Sequence, residues 1–194
     1  MFPQIVPGGS LMLAWQVKGK DVLIVGGGHV AAGRIIKILD ANGIVTLVAP
    51  RKRLTEEVAY RVDSGQIAYY KNREFKESDL DGMDMCLTAI DSPEASTWIQ
   101  KLCKQRRIPV NVADVPSECD FYFGSEHRDG PLQIMISTNG AAPKLANLIR
   151  LSVARNLPQN AGKACQNVAK LRKKLRNFAP GTAEGPQRMK WYAS

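Results

Sequence analysis

The stretch Gly26-Gly27-Gly28-His29-Val30-Ala31 constrains this chain more than any other. It follows the apolar run Val22-Leu23-Ile24-Val25 and precedes Ile35, Ile36 and Leu39 at helical spacing. A strand that turns on glycines into a helix leaves backbone N–H groups unpaired at the positive end of the helix dipole, where a pyrophosphate fits. The order G-x-G-x-x-A is the dinucleotide fingerprint with alanine at its third small position. A glycine-rich turn alone says little; between a β-branched strand and an amphipathic helix it makes Gly26, Gly28, His29 and Val30 candidate cofactor contacts, His29 through its backbone rather than its ring.

Downstream, apolar runs and helical periodicity alternate. The pattern predicts strands at 22–25, 44–49, 67–71, 83–89 and 110–112, and helices at 29–41, 54–64 and 93–106. Asn42-Gly43 and Ser64-Gly65 are helix stops, and Ser92-Pro93 is a helix start. Strands alternating with helices imply βαβ units. The expected fold is α/β: a Rossmann-like doubly wound parallel sheet, followed by a small β element and a helical dimerisation tail. The boundaries are 1–113 for the nucleotide domain, 114–142 for a central β dimerisation element and 143–194 for a helical region. Within the second, Phe121-Tyr122-Phe123 and Leu132–Ile136 read as strands joined by the polar turn Glu126–Pro131. Helices are expected at 143–156 and 161–177, the latter with an apolar stripe of Val168, Leu171, Leu175 and Phe178 suited to a second copy of the chain.

The carboxyl ends of the strands are where such sheets hold ligands. After the second strand, Ala49-Pro50-Arg51-Lys52-Arg53 carries no acid to accept from ribose hydroxyls, and on the residues alone this favours NADP. The alternative is a solvated turn. Thr88 and Ala89 end the fourth strand, small enough to let a nicotinamide approach the backbone. Asn111 and Asp114 end the fifth; Asp114 is a candidate general base, or a cap of the Val115-Pro116 turn. Ser137-Thr138-Asn139-Gly140 ahead of Pro143 is a second helix entrance, a candidate carboxylate site or an ordinary N-cap.

Charge is distributed unevenly. Residues 143–194 hold eleven Lys/Arg and one acid, whereas 1–142 hold sixteen basic and seventeen acidic residues. The tail therefore calls for an anionic partner or solvent: nucleic acid, a polycarboxylate and a solvated face all remain open on this count. Cys86, Cys103, Cys119 and Cys165 are scattered, with only His29 and His127 beside them, so no zinc site or disulfide framework is expected and a cytoplasmic location fits. No run is long enough to span a bilayer. The apolar stretch Phe2–Trp15, broken by Pro3, Pro7, Gly8 and Gly9, lacks a basic start and reads as an arm packing on the first strand.

Four motifs then occur in order: Gly26–Ala31, Asn111-Val112-Ala113-Asp114, Cys119-Asp120-Phe121-Tyr122-Phe123-Gly124, and Ile136–Gly140 with Pro143. Over about residues 10–180 the chain resembles the siroheme-synthase family (precorrin-2 dehydrogenase / sirohydrochlorin ferrochelatase), fungal type. The resemblance implies NAD-dependent oxidation of precorrin-2 to sirohydrochlorin. In bifunctional members Fe²⁺ follows as a substrate, giving siroheme. It implies NAD rather than NADP, since members lack the same acid. It puts the essential carboxylate on Asp114, with a metal held there only in passing, and nucleotide contacts at His29, Val30 and Ala49 to Arg51. Asn111 and Ser137 to Gly140 are the expected substrate contacts, and a serine phosphorylated in some bacterial members falls on Thr138. The implied partners are the tetrapyrrole and a second copy of the chain. A polycarboxylate macrocycle accounts for the basic tail better than nucleic acid does. Family members continue past Arg188–Tyr192, so the C-terminal region reads as shortened, which bears on the chelatase step more than on oxidation. The competing function is a non-catalytic NAD(H)-sensing or nucleic-acid-binding module, which would have no use for Asp114 beside an intact fingerprint.

Overall fold

Five short strands pair in parallel in the order β3-β2-β1-β4-β5: β1 (Asp21–Val25), β2 (Ile44–Val48), β3 (Tyr69–Lys71), β4 (Met85–Thr88) and β5 (Val110–Val112). The computed structural model describes residues 2 and 4–193 and divides into two units, Met1–Tyr122 and Phe123–Ser194. In the first, helices α1 (His29–Asp40), α2 (Glu56–Asp63) and α3 (Pro93–Arg106) connect the strands. The order is that of a doubly wound nucleotide-binding sheet, which reverses direction between β1 and β4.

β1, β2 and β4 are mostly apolar because both faces of the sheet are covered there. Val22, Leu23, Ile24, Val45, Leu47 and Val110 are fully buried. Ala31, Ala32, Ile35 and Ile38 seat α1, while Ile99, Leu102 and Cys103 of α3 close over Leu23, Val25, Cys86, Val110 and Val112. Helix α3 begins at the expected residue because the Ser92 side chain accepts from the Ala95 N–H at 3.3 Å ahead of Pro93. Helix α2 starts two residues later than its periodicity suggests. A single 3₁₀ turn at Arg51–Arg53 and an extended Leu54 intervene before the Thr55 cap.

The edge strand β3 is anchored by Asp79. Its carboxylate is 1% exposed and accepts from Lys71 Nζ (2.8 Å), both terminal nitrogens of Arg73 (2.7 and 2.8 Å) and the Lys76 N–H (2.9 Å). Burial pushes this carboxyl up, but the hydrogen bonds from Arg73, Lys71 and Lys76 outweigh it and hold it well below the usual carboxylate range. Because the folded value is depressed, the contribution to stability is present above the unfolded carboxyl pKa of about 4 and fades as pH falls through the folded value. Asp79→Ala should cost about 3 kcal/mol at neutral pH, the low end for breaking a buried pair because both cations can still reach water. Denaturant midpoints of wild type and variant, measured at neutral pH and again in strong acid, should converge in acid.

The second unit contains the antiparallel hairpin β6 (Ser125–Asp129) and β7 (Leu132–Ile136), then α4 (Pro143–Asn156), α5 (Ala161–Phe178) and α6 (Gly185–Ala193). Here the expected hairpin is corrected. Phe121–Phe123 is not a strand; its place is taken by Ser125–Asp129, and the turn shrinks to Gly130-Pro131 with Gly130 at φ +56°. Helix α4 packs on both strands, and α5 is tied to β6 where the Gly162 N–H donates to Asp129 Oδ2 at 2.7 Å. Only Ala146 and Gly162 are buried among the described residues of this unit. Leu145, Leu148, Val168, Leu171 and Phe178 are 48–88% exposed.

The N-terminal arm is also corrected. Phe2, Ile5, Val6 and Leu11 are 82–97% exposed rather than packed on β1, and Trp15 instead meets the Phe121 ring edge-on at 5.3 Å. Prolines and glycines deny this stretch the regular geometry that would align its side chains. Among the described residues, no helix is long and apolar enough to cross a membrane.

Candidate functional site

The residue that follows four of the five strands is small: Ala49 after β2, Gly26 after β1, Ala89 after β4 and Ala113 after β5. The sheet's hydrogen bonding continues through them. Ala49 N–H donates to Lys71 O (3.3 Å), Gly26 to Val48 O (3.0 Å), Ala89 to Val25 O (2.8 Å) and Ala113 to Thr88 O (3.0 Å). The result is a ledge without bulky side chains along the carboxyl edge, crossing the point where strand order reverses. That is where doubly wound sheets bind dinucleotides.

At the centre of the ledge, Gly26 has φ +115°, and a methyl group on it would lie 2.0 Å from the Ala89 carbonyl oxygen. Gly28 differs: a methyl there would meet nothing within 4 Å. Gly28 caps α1 without any side-chain hydrogen bond, and the first turn carries no acid. The N–H groups of the first turn therefore face open space beside His29 and Val30, which are both exposed, Val30 at 45%. Thr88, 2% exposed, has a hydroxyl with no hydrogen-bond partner among the described residues. A close-approach glycine turn, an uncapped helix start and an orphaned hydroxyl beside it fit a dinucleotide.

At the β2 end, Tyr70 Oη donates to Ala49 O at 3.0 Å, and Asn72 Oδ1 accepts from the Arg51 N–H at 2.6 Å. The Arg51 guanidinium makes a fork on Asp63, 2.8 and 2.7 Å to its two oxygens, while Arg53 pairs with Glu74 at 2.9 Å. The hydrogen bonds hold Asp63 below its ordinary value and raise Arg51 above its own. Both arginines after Pro50 are thus ion-paired, on a turn that stays exposed.

At the β5 end, Asp114 is exposed and adopts φ +61°, a conformation that residues with a side chain, Asn and Asp apart, seldom take. It does not cap the following turn. That short 3₁₀ turn (Pro116–Glu118) is capped by Val115 without a side-chain bond, and the Asp114 carboxylate makes no hydrogen bond or ion pair among the described residues. Its loop is fastened on both sides. The Cys119 thiol lies 3.1 Å from Val112 O, 3.4 Å from Val115 O and 3.2 Å from the Val112 N–H. Asp120 accepts from the Val110 N–H at 3.0 Å. Asn111, 4% exposed, donates inward to Phe121 O at 2.8 Å. Its amide is therefore committed to holding this loop, a role the sequence did not suggest; nor did it suggest Cys119.

Ser137–Gly140 lies in the second unit, ahead of α4. Asn139 (φ +53°) and Gly140 (φ +82°) form a left-handed turn in which Thr138 Oγ1 accepts from the Ala142 N–H at 3.0 Å and Ser137 Oγ from the Asn139 N–H at 3.1 Å. The cap of α4 is Ala142, so none of these four residues is its N-cap. Among the described residues, no group of three or more His, Cys, Asp or Glu stands close enough together to hold a metal ion. A shallow cleft on α3, lined by Pro93, Glu94, Thr97, Trp98 and Lys101, shares no residue with the ledge.

Comparison with known proteins agrees with this division. Residues 13–125 match the family described as putative NAD(P)-binding, 129–156 the sirohaem biosynthesis protein central family and 158–194 the sirohaem biosynthesis protein C-terminal family. A siroheme biosynthesis protein of Schizosaccharomyces pombe is 50% identical over 191 residues, covering 98% of this chain and 72% of that protein. The siroheme biosynthesis protein of Saccharomyces cerevisiae is 33% identical over 94% of this chain and 80% of its own length. The siroheme synthase of Pseudomonas fluorescens is 31% identical over 88% of this chain but only 36% of its own length. Among solved structures, SirC, a precorrin-2 dehydrogenase, shares the fold with a TM-score of 0.76 at 23% identity, over 95% of this chain and 88% of that one. With half its residues identical to a fungal relative that it spans for most of its length, and with three matching segments in succession, the chain belongs to the siroheme biosynthesis protein family.

Proposed function

We propose that the chain is an NAD-dependent precorrin-2 dehydrogenase, producing sirohydrochlorin on the way to siroheme. The observation that carries the mechanism is Asp114: an exposed carboxylate, without a partner among the described residues, held at φ +61° one residue beyond the ledge. The dinucleotide supplies a hydride acceptor. When it is bound, the backbone N–H groups of Gly28, His29 and Val30 would hold its pyrophosphate, Gly26, whose own N–H is spent on Val48 O, would let the backbone come close, Ala49 to Arg51 would flank its ribose, and Thr88 and Ala89 would border its reactive half. Oxidation removes a hydride and a proton from the macrocycle, and the Asp114 carboxylate accepts the proton. Because it spends no hydrogen bond on the described residues, that carboxylate is available both as a base and to orient the substrate.

Insertion of Fe²⁺, a second substrate, releases two pyrrole protons, and the same carboxylate serves there. The macrocycle nitrogens supply most of the coordination, since Fe²⁺ wants several ligands and Asp114 is one. Asn111 supports the substrate loop, and Ser137, Thr138, Asn139 and Gly140 offer hydroxyl and amide groups to substrate carboxylates. The basic surplus in residues 143–194 suits such a polyanion.

We further read 1–113 as the nucleotide domain, 114–142 as a central element and 143–194 as the helical region. The last two meet a second copy of the chain in a homodimer. The apolar residues left exposed on α4 and α5 support this pairing. Four free cysteines, two of them buried, suit a cytoplasmic enzyme.

The test mixes the protein with precorrin-2 and NAD and follows NADH together with the sirohydrochlorin spectrum. NADH should appear in step with sirohydrochlorin. Folded protein that binds NADH but turns nothing over would favour a sensing module, and salt-dependent DNA binding would favour a nucleic-acid module.

A further inference from the structure

We infer that Asp63, at the end of α2, sets the preference for NAD over NADP by occupying the Arg51 guanidinium. The inference rests on the dinucleotide reading above and names a residue that determines its specificity. In doubly wound folds, the end of the second strand decides between the two cofactors: an acid there accepts from the ribose hydroxyls, and a free arginine binds the 2′-phosphate. Here that place holds an arginine, which by itself reads as an NADP site.

The structure removes that arginine from play. Both terminal nitrogens of Arg51 are spent on Asp63, at 2.8 and 2.7 Å, in the fork geometry that a phosphate would otherwise accept. Asp63 thereby neutralises the cation and sets a carboxylate against the guanidinium that a 2′-phosphate would need. The Arg51 backbone is held separately by Asn72, so losing Asp63 frees the side chain without releasing the turn. Helix economy does not explain the acid. As the last residue of α2 it lies at the negative end of the helix dipole, where a carboxylate is disfavoured. Arg51 is the partner that accounts for it. Arg53 is similarly engaged with Glu74, so the neutralisation extends to both arginines of the turn.

The experiment titrates NADH and NADPH separately into the 194-residue chain by calorimetry, without tetrapyrrole, for wild type, Asp63→Asn, and Asp63→Asn combined with Arg51→Ala. The preference for NADH over NADPH should fall by about tenfold or more in Asp63→Asn, the effect of one freed charge-assisted contact, and return in the double variant. The gain in NADPH binding should shrink as salt is raised. Asp63→Ser, which also lacks the charge, should repeat the result, and thermal melts should show both variants folded. An unchanged preference in both folded single variants overturns the inference. So does a shift that persists in the double variant, because Arg51 would then not be its source. If wild-type protein binds neither dinucleotide, the dinucleotide reading itself fails, and the inference with it.

Discussion

Gly26→Ala should destabilise the first unit by roughly 2–5 kcal/mol, a large share of what a domain of this size has to lose. Two costs add. The residue sits at φ +115°, where an L side chain is strained by about 1–2 kcal/mol. The new methyl would lie 2.0 Å from the Ala89 carbonyl oxygen and 2.7 Å from its carbon, and both are backbone atoms of the neighbouring strand's exit. Backbone in a sheet cannot step aside as a side-chain tip can, so overpacking adds about 1–3 kcal/mol more. Urea melts should show a lower midpoint with an unchanged slope. Gly28→Ala is the counterpart. A methyl there meets nothing within 4 Å, so the fold should hold while NADH binding weakens, because the methyl projects into the space before the α1 N-terminus. If Gly28→Ala melts as Gly26→Ala does, the fingerprint is serving the sheet rather than a ligand.

Asp114→Asn should lower dehydrogenase turnover by a factor of about 10²–10⁴, the usual contribution of a positioned general base. Asparagine is the informative replacement. It tolerates the left-handed backbone that Asp114 occupies, so the loop between Val112 and Cys119 keeps its shape, whereas alanine would add strain of its own. NADH affinity should survive, because the glycine turn belongs to β1 and α1 rather than to β5. Single-turnover measurement of NADH formation, beside direct NADH titration, separates the two effects. Wild-type turnover in a folded Asp114→Asn protein would mean that another group takes the proton.

The elements most legible in the sequence were those with local punctuation. Helix α3 matched its expected range because Ser92-Pro93 opens it; its end, where Arg107 takes a left-handed conformation, carries no such sign in the sequence. The hairpin was misread because its first strand, Ser125-Glu126-His127-Arg128-Asp129, is polar throughout and shows no alternation to reveal a strand. The aromatic run nearby suggested one instead. Its members are used singly: Phe121 against Trp15, and the Tyr122 hydroxyl on the Pro116 carbonyl at 3.1 Å. At the site, the glycine turn and Asp114 were visible because backbone chemistry and position announce them. The Arg51–Asp63 pair was not, since it joins a turn to the far end of the next helix. The anchoring of the Asp114 loop by Cys119 was hidden for a similar reason: a thiol's hydrogen bonds leave no spacing pattern.

The ledge of Ala49, Gly26, Ala89 and Ala113 also works as a ruler. Three gaps between neighbouring strands, at about 4.8 Å each, make it roughly 14 Å long. Its midpoint falls between Gly26 and Ala89, where the strand order reverses, so a ligand anchored by phosphate at the glycine turn has bare backbone on both sides, one strand towards Ala49 and two towards Ala113. A mononucleotide would cover one side and leave the other wet; a two-nucleoside molecule covers both. Strand spacing, which the chain cannot vary, thus sets the length of bare backbone open to a cofactor before any side chain touches a base or a ribose.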